Sequence, residues 1–273
     1  MRSRWVVLTA MVAAGASSGC DFVFGLGDPQ PCEARSFDGV TPHAITVADA
    51  FTMSRDQSFA VLQIDGALFQ ASPIDAVPVP IDLGVYTNTS FALAPEGTSL
   101  FYTAAIEPPK LLGALRGESA SWRLDATVPH ATYAGTPSAD EYGPRRLIVR
   151  PRANDTTVQE LEDQNGVWTP LGAPHDMTMT GAVAPNLTPN GLTMVYSVEH
   201  TQLDDESVED GVFIETRASR DEWFGNRTRI LSGAHHGPPQ LLDTCRALYT
   251  VDPPIDPNDP AYPAGELERY DAP

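Results

Sequence analysis

The sequence predicts an all-β fold, a β-propeller of about five four-stranded blades in which an N-terminal strand closes the last blade. Proline (25) and glycine (21) are frequent among the 273 residues, which favours many turns and few long helices. One hairpin pattern recurs five times at a spacing typical of propeller blades. A single blade cannot bury both faces of its sheet, so successive blades must pack on one another around an axis.

The repeated hairpin is clearest in "FALAPEGTSLFYT" from Phe91 and "PNLTPNGLTMVYS" from Pro185. In each, an apolar run meets a Pro-x-Gly turn and an aliphatic-aromatic strand follows, as expected for a type I turn with glycine at the bulge position. Weaker copies begin at Phe51, Gly135 and Pro239. The turn centres are 40, 47, 47 and 54 residues apart and lie at Asp56, Glu96, Gly143, Asn190 and Thr244.

Third and fourth strands complete the units in turn. The first unit adds "ALFQAS" and "AVPVPID", the second "PKLLGAL" and "SWRLDA", the third "TVQELED" and "VWTPLG", and the fourth "GVFIETRAS" and "TRILS". The fifth unit has only "ELERYDA" from Glu266 before the sequence ends. We expect the segment "RSFDGVTPHAI" from Arg35 to supply the missing outer strand, which closes the ring and removes an exposed sheet edge.

The stretches "LTPNGLTMVYS", "LAPEGTSLFYT" and "IETRASRDEWFGNRTRI" resemble the WD40-like propeller repeats of TolB-type periplasmic proteins, and most of all those of acidic bacterial lipoproteins. The resemblance extends from about Phe51 to the C-terminus. It implies a β-propeller and a scaffold or binding role. The family has no shared catalytic residues, so the resemblance assigns none here. Five blades is one fewer than the six of TolB itself.

The first twenty residues predict a lipoprotein-type signal peptide. Arg2 and Arg4 precede an apolar run from Trp5 to Ala14 that is too short to cross a bilayer, and "SSGC" then resembles a lipobox. Cys20 is the predicted lipidation site, although Ser17 departs from the lipobox pattern and leaves cleavage by ordinary signal peptidase open. The expected organisation is signal 1–20, linker 21–35 and propeller 36–273, in the cell envelope, either periplasmic or on the outer membrane.

The chain carries a net charge of -19 with a pI of about 4.5. Such an acidic surface repels phosphate backbones, so nucleic acid is not an expected partner, whereas cations or a basic protein are. The only lysine, Lys110, lies in "EPPKLLG", which resembles neither a Schiff-base site nor a phosphate-binding loop. Membrane contact is expected through the N-terminal lipid alone.

Two sets of residues are candidates for metal binding. The acidic loops "DDESVED" and "DPPIDPNDPAYPAG" supply oxygen ligands of the kind that Ca²⁺ prefers, without a regular Ca²⁺-loop spacing. Histidines that precede the first strand of a blade would share one face of the ring and suit a transition metal. Solvated loops and turn histidines that face solvent are the alternatives. The candidates are His43, His130, His175, His235, His236, Asp204, Asp205, Asp252, Asp256 and Asp259.

A disulfide is predicted between Cys32 and Cys245. The sequence has three cysteines, and lipidation of Cys20 would leave an even pair in an oxidising compartment. Cys245 falls in the first hairpin turn of the fifth blade, and the closing strand is expected to begin at the same end of that blade. Residues 32–35 would then cross a gap of about 14 Å, roughly three strand spacings. Two free buried thiols are the alternative.

No catalytic residue is assigned, because the sequence contains no nucleophile elbow, no His-Glu-x-x-His and no Cys-x-x-Cys pair. The leading function is a non-enzymatic, envelope-anchored binding or scaffold propeller with a protein partner and no required cofactor. One alternative is an envelope hydrolase that attacks glycan or peptide through axial carboxylates. The other is a cation- or carbohydrate-binding, lectin-like protein. Trp122, Trp168 and Trp223 fall in or just before outer strands, which favours packing between blades over sugar stacking.

Overall fold

The structure, a computed structural model, divides the chain into two units, Met1–Gln30 and Pro31–Pro273. Residues 31–35, assigned to a linker from the sequence, belong to the second unit. No helix in the described part of the chain is long and apolar enough to cross a membrane. The described residues are 29–83, 86–104, 110–116, 121–128, 131–151, 156–177, 184–198, 210–233, 235–242, 245–252 and 265–272.

Short antiparallel strands make up nearly all of the regular structure, and the described residues include one 3₁₀ turn at Asp140–Tyr142. The strands are β1 (His43–Val47), β2 (Ala50–Met53), β3 (Ala60–Ile64), β4 (Ala67–Ala71), β5 (Val79–Pro80), β6 (Tyr86–Leu93), β7 (Ser99–Ala104), β8 (Lys110–Arg116), β9 (Trp122–Val128), β10 (Tyr133–Ala134), β11 (Arg146–Arg150), β12 (Thr157–Gln164), β13 (Val167–Pro170), β14 (His175–Asp176), β15 (Asn186–Leu187), β16 (Thr193–Val198), β17 (Gly211–Thr216), β18 (Gly225–Ser232), β19 (His236–Leu241), β20 (Ala247–Asp252) and β21 (Glu266–Asp271).

These strands form five sheets, which confirms the five-bladed propeller. Blades one to four have the orders β2-β3-β4-β5, β6-β7-β8-β9, β10-β11-β12-β13 and β15-β16-β17-β18, and β14 adds to β12 in blade three. Blade five has the order β19-β20-β21-β1, so the N-terminal strand closes it as expected. Each blade except the last is a run of consecutive strands, so four of the sheets are built from local hairpins.

The first hairpin turn is the same in four blades, which explains the sequence repeat. Two backbone hydrogen bonds define it. The first residue of the turn donates its N–H to the carbonyl five residues later and accepts at its carbonyl from the N–H three residues later. This first residue is Ser54, Ala94, Thr188 or Leu242. Gly97 and Gly191 occupy the predicted bulge position with φ of +72° and +70°. Gln57 and Cys245 adopt a left-handed φ of 60° and 52° at the same position. Blade three departs from the pattern because its turn, which carries the 3₁₀ segment, bonds Ser138 to Arg146.

The closing strand begins later than the sequence predicts. β1 pairs with β21 from His43 opposite Arg269 to Val47 opposite Glu266, with a bulge between Ala44 and Thr46. Residues 35–42 run instead along the edge of blade four, where the Phe37 N–H donates to the carbonyl of Ile230 at 2.6 Å. Phe37 is fully buried in the core between blades four and five, and this burial holds the segment away from the fifth sheet.

The predicted disulfide between Cys32 and Cys245 is present and joins Cα atoms 5.5 Å apart across 213 residues. The Cys32 N–H donates to Thr193 Oγ1 of blade four at 2.8 Å. The N-terminal segment at Cys32 therefore passes blade four before it reaches the turn of blade five. The sequence predicts that it crosses about three strand spacings of blade five, and this crossing does not occur.

The core lies between blades, and a tryptophan lies at each of three blade contacts. Trp122 of blade two lies 6.2 Å from Phe59 of blade one, and Trp168 of blade three lies 5.6 Å from Phe101 of blade two. The Trp223 ring stacks on His175 of blade three at 3.6 Å. All three tryptophans thus pack against the preceding blade, which confirms the packing role expected of them.

Candidate functional site

The axis of the propeller is filled by an uncharged network of amide and hydroxyl groups. Gln240 of blade five crosses it, because its Nε2 donates to Thr136 Oγ1 of blade three at 2.8 Å and to Thr52 Oγ1 of blade one at 3.2 Å. The Met53 N–H donates to Gln240 Oε1 at 2.9 Å. All three polar side chains are buried, so their partners satisfy groups that would otherwise be costly to bury.

Asn186 and Thr52 extend this network to the remaining blades. Asn186 Oδ1 accepts from the Thr136 N–H, and its Nδ2 donates to the carbonyl of Pro239 at 2.8 Å. Thr52 Oγ1 accepts from the Leu93 N–H of blade two at 2.9 Å. A cavity of about 20 Å³ remains, enough for about one water, and no carboxylate lines it. The axial carboxylates of the hydrolase alternative do not occur in this described part of the axis.

Among the described residues, a larger opening lies at the seam between blades five and one. We call it the seam groove; it is open to solvent and has a volume of about 590 Å³. Strands β1, β20 and β21 form its floor, and the loop after β4 and the first turn of blade one form its wall. Its lining residues are His43, Ala44, Ile45, Gln57, Pro73, Ile74, Asp75, Tyr249, Arg269 and Asp271.

The floor of the seam groove carries a row of polar side chains set by strand register. Tyr249 pairs with Arg269, and Arg269 pairs with His43 on the outer strand. Arg269 donates through Nε and Nη2 to Asp271 Oδ1 at 2.9 and 2.7 Å, and these bonds raise the pKa of Arg269. The Tyr249 hydroxyl donates to Gln57 Oε1 at 2.8 Å, and burial raises the pKa of Tyr249. Each of these polar groups is held in place by a hydrogen bond, and placed polar groups of this kind give a binding site its specificity.

A second cluster of ionisable groups lies in blade five near the ends of β20 and β21. We call it the acid cluster, formed by His235, Asp252, Glu268 and Tyr270. His235 Nδ1 lies 2.8 Å from Asp252 Oδ1, and its Nε2 lies 3.2 Å from the carbonyl of Ser232. Both ring nitrogens therefore lie within hydrogen-bond distance of an oxygen atom.

Glu268 is the buried carboxyl of the acid cluster. The Tyr270 hydroxyl donates to its Oε2 at 2.8 Å. Burial raises the pKa of Glu268, and the neighbouring Asp252 carboxyl raises it further. Burial and the bond to Glu268 likewise raise the pKa of the Tyr270 hydroxyl.

A buried ion pair joins blades three and four. Arg217, whose side chain has no exposed surface, donates through Nη1 and Nη2 to both oxygens of Glu160 at 3.0 and 2.9 Å. Its Nε donates to the carbonyl of Gly191 at 2.8 Å, and its guanidinium lies 4.1 Å from the Phe224 ring. Every contact is internal, so the pair is structural.

Of the predicted metal ligands that fall on described residues, His235 and Asp252 are brought together, whereas His43 and His175 lie apart from them and from each other. His43 lines the seam groove, His175 stacks on Trp223, and His235 is bonded to Asp252. Burial lowers the pKa of His175. The described residues contain no group of three histidine, cysteine or carboxylate side chains that could hold a metal ion. His130, Asp204, Asp205, Asp256, Asp259 and the side chain of His236 lie outside the described residues, and metal binding there stays a prediction.

Sequence reasoning missed most of the seam groove and the acid cluster. Arg269, Asp271 and Glu268 sit in "ELERYDA", which was assigned only as a strand. The signal was available once β1 was placed beside that strand, because the pairing puts His43 next to Arg269. The loop residues of the wall gave no comparable signal.

Comparison with known proteins yields likenesses in structure alone. No protein-family model matches the sequence, and no curated protein matches it. A TolB-type protein of Agrobacterium tumefaciens is 18% identical, with 77% of this chain and 72% of that chain covered and a TM-score of 0.46. TolB of Acinetobacter baumannii is 9% identical, with 82% and 54% covered and a TM-score of 0.49. The GH74 enzyme of Niastella koreensis is 11% identical, with 76% and 34% covered and a TM-score of 0.42.

The strand order itself defines the class, a five-bladed β-propeller, as the repeated hairpins predict. The chain spans about half the length of the Acinetobacter protein (54%) and a third of the GH74 enzyme (34%). At this level of similarity the fold alone is shared, and the function has to be argued from the residues of this chain.

Proposed function

We propose that the protein is a non-enzymatic, envelope-anchored binding propeller that holds a partner protein at the seam groove. One observation carries the proposal: neutral groups around Gln240 fill most of the described axis and leave a cavity of about 20 Å³ lined in part by Arg55, while the seam groove has a volume of about 590 Å³. Apolar side chains such as Ile45 and Ile74 share the groove with a few oriented polar groups, which is the usual composition of a binding site.

The anchoring part of the proposal rests on the N-terminal sequence. The basic residues, the short apolar run and Cys20 follow the order of an export and lipidation signal. Metabolic labelling with a radioactive fatty acid should mark the wild-type chain and leave the Cys20→Ala variant unlabelled. A labelled C20A variant, or an unlabelled wild type, would remove the lipid anchor from the proposal.

Capture from native envelopes tests the binding role. The wild-type protein, crosslinked in place, should capture a defined partner, and Asp75→Arg should lose it because the substitution reverses a charge on the groove wall. Glu96→Arg is the matched control, since it reverses an exposed charge in the first turn of blade two. Equal capture by D75R and E96R would show that the partner does not use the seam groove.

The acid cluster favours a second candidate function, hydrolysis of glycan or peptide. It places two carboxyls side by side, one of them with a raised pKa, as acid–base pairs require. Turnover of peptidoglycan or casein by the purified protein, lost in both Glu268→Gln and Asp252→Asn, would support hydrolysis and contradict the binding-only proposal. No turnover above that of the two variants supports binding.

A further inference from the structure

The outer edge of β1 differs from the other outer strands that the structure describes. An open sheet edge pairs readily with another chain, and proteins usually protect it with charge, proline or a covering segment. β5 and β13 end in Pro80 and Pro170, and β9 exposes Arg123. β18 exposes Arg227 and Arg229 and is covered by the segment around Phe37.

β1 contains no proline and no Asp, Glu, Lys or Arg within its bounds, which read "HAITV". Val47 is 50% exposed, and the outer strands β5, β9 and β13 likewise expose Val79, Leu124 and Val167 beside their proline or arginine. Its one irregularity is the bulge between Ala44 and Thr46, and both Ala44 and Ile45 line the seam groove. The outer strand that has neither proline nor a charged side chain of Asp, Glu, Lys or Arg is therefore also the outer border of the seam groove.

We propose that β1 accepts an extended segment of a partner protein as an added fifth strand of blade five, and that this segment carries basic residues. The inference rests on the proposed binding function and identifies the kind of partner. An added strand would continue the row Tyr249, Arg269 and His43 by one position. Main-chain hydrogen bonds would give affinity, and alternate side chains would enter the groove beside Ile45 and Ile74.

Charge decides between a foreign segment and a second copy of this chain. The chain has a net charge of -19, so two copies that met edge to edge would repel each other. The groove itself contributes the carboxylates of Asp75 and Asp271, and Arg269 is already paired with Asp271. A basic side chain on the added strand would find a complementary charge on the wall at Asp75.

A random-peptide display library, panned against the mature protein, tests the proposal. We expect selected peptides in which basic and β-branched residues alternate, and we expect them to slow hydrogen exchange of the amides of residues 43–47. Val47→Lys should weaken their binding at least about tenfold, because a charged side chain on an edge strand disfavours pairing with another strand. Val167→Lys is the matched control, since it alters a 64% exposed valine on the outer strand of blade three.

Three results would overturn the proposal. Selected peptides could bind V47K as tightly as they bind the wild type, the amides of β1 could stay unprotected, or the protein itself could form a dimer that V47K abolishes. N-methylation separates strand addition from other modes, since methyl groups on one alternate set of peptide nitrogens should abolish binding and those on the other set should not. If Asp75-dependent envelope capture persists while β1 stays unprotected, strand addition fails and the proposed function stands.

Discussion

Cys32 and Cys245 are bonded to each other across 213 residues, and Cys245 sits at the left-handed turn position that glycine holds in blades two and four. The bond ties the N-terminal lead-in to the first turn of the last blade, on the side that faces blade four. Closure of the ring therefore has a covalent component beside the β1–β21 pairing.

We expect the double variant Cys32→Ser and Cys245→Ser to unfold at lower denaturant concentration than the wild type. Opening so long a loop has a nominal cost of about 5 kcal/mol in the chain-entropy model, and measured losses often fall below this value. Urea unfolding of the two proteins gives the difference. Reduced wild type is the control and should match the variant, and equal stability of oxidised and reduced wild type would contradict the expectation.

The turn position of Cys245 makes a second, sharper prediction. In the background of Cys32→Ser, Cys245→Gly should be more stable than Cys245→Ala by about 1 kcal/mol, because only glycine adopts a left-handed φ without a steric penalty. The pair differs by one methyl group, so each serves as the control of the other. An alanine variant as stable as the glycine variant would show that the turn does not keep its φ of 52° without the disulfide.

Glu268 should make stability depend on pH. A carboxyl whose pKa is raised on folding stabilises the folded state below its unfolded pKa, and this contribution is lost as the pH rises through the raised folded pKa. Glu268→Gln mimics the protonated form and keeps an acceptor for Tyr270. We therefore expect E268Q to unfold with a higher free energy than the wild type at neutral pH and with a similar one near pH 4.

Glu266→Gln is the control for this pH dependence, since Glu266 is an exposed residue of the same strand. Denaturant unfolding of the three proteins at several pH values measures the effect. If the difference in unfolding free energy between the wild type and E268Q does not change with pH, the pKa of Glu268 is not raised.

The ion pair between Arg217 and Glu160 should be essential for the contact of blades three and four. Glu160→Ala leaves a buried guanidinium without its counter-charge, and breaking a buried pair in this way costs about 3–5 kcal/mol. Asp221→Ala is the matched control, because Asp221 is 93% exposed and belongs to the same group of charges. Thermal unfolding measures the difference. Equal unfolding temperatures for the two variants would indicate that Arg217 is more solvated than the structure shows.

Local elements could be predicted from the sequence, and contacts between blades could not. Proline and glycine at fixed positions predict the hairpin turns that begin at Ala94 and Thr188, because a turn depends on residues that are adjacent in sequence. The start of β1 was wrong because Phe37 is held by Ile230, a partner that no local pattern reveals. Gln240 and Glu160 were missed for the same reason, since their roles exist only after the ring has closed.

The central claim is that the protein binds its partner at the seam and not at the axis, and site-specific photo-crosslinking tests it most directly. A photoreactive amino acid would replace Asp75 on the groove wall in one variant and Arg55 beside the axial cavity in another. In intact envelopes we expect the Asp75 position to form a crosslink to a partner protein and the Arg55 position to form none. A crosslink from Arg55 with none from Asp75 would contradict the account.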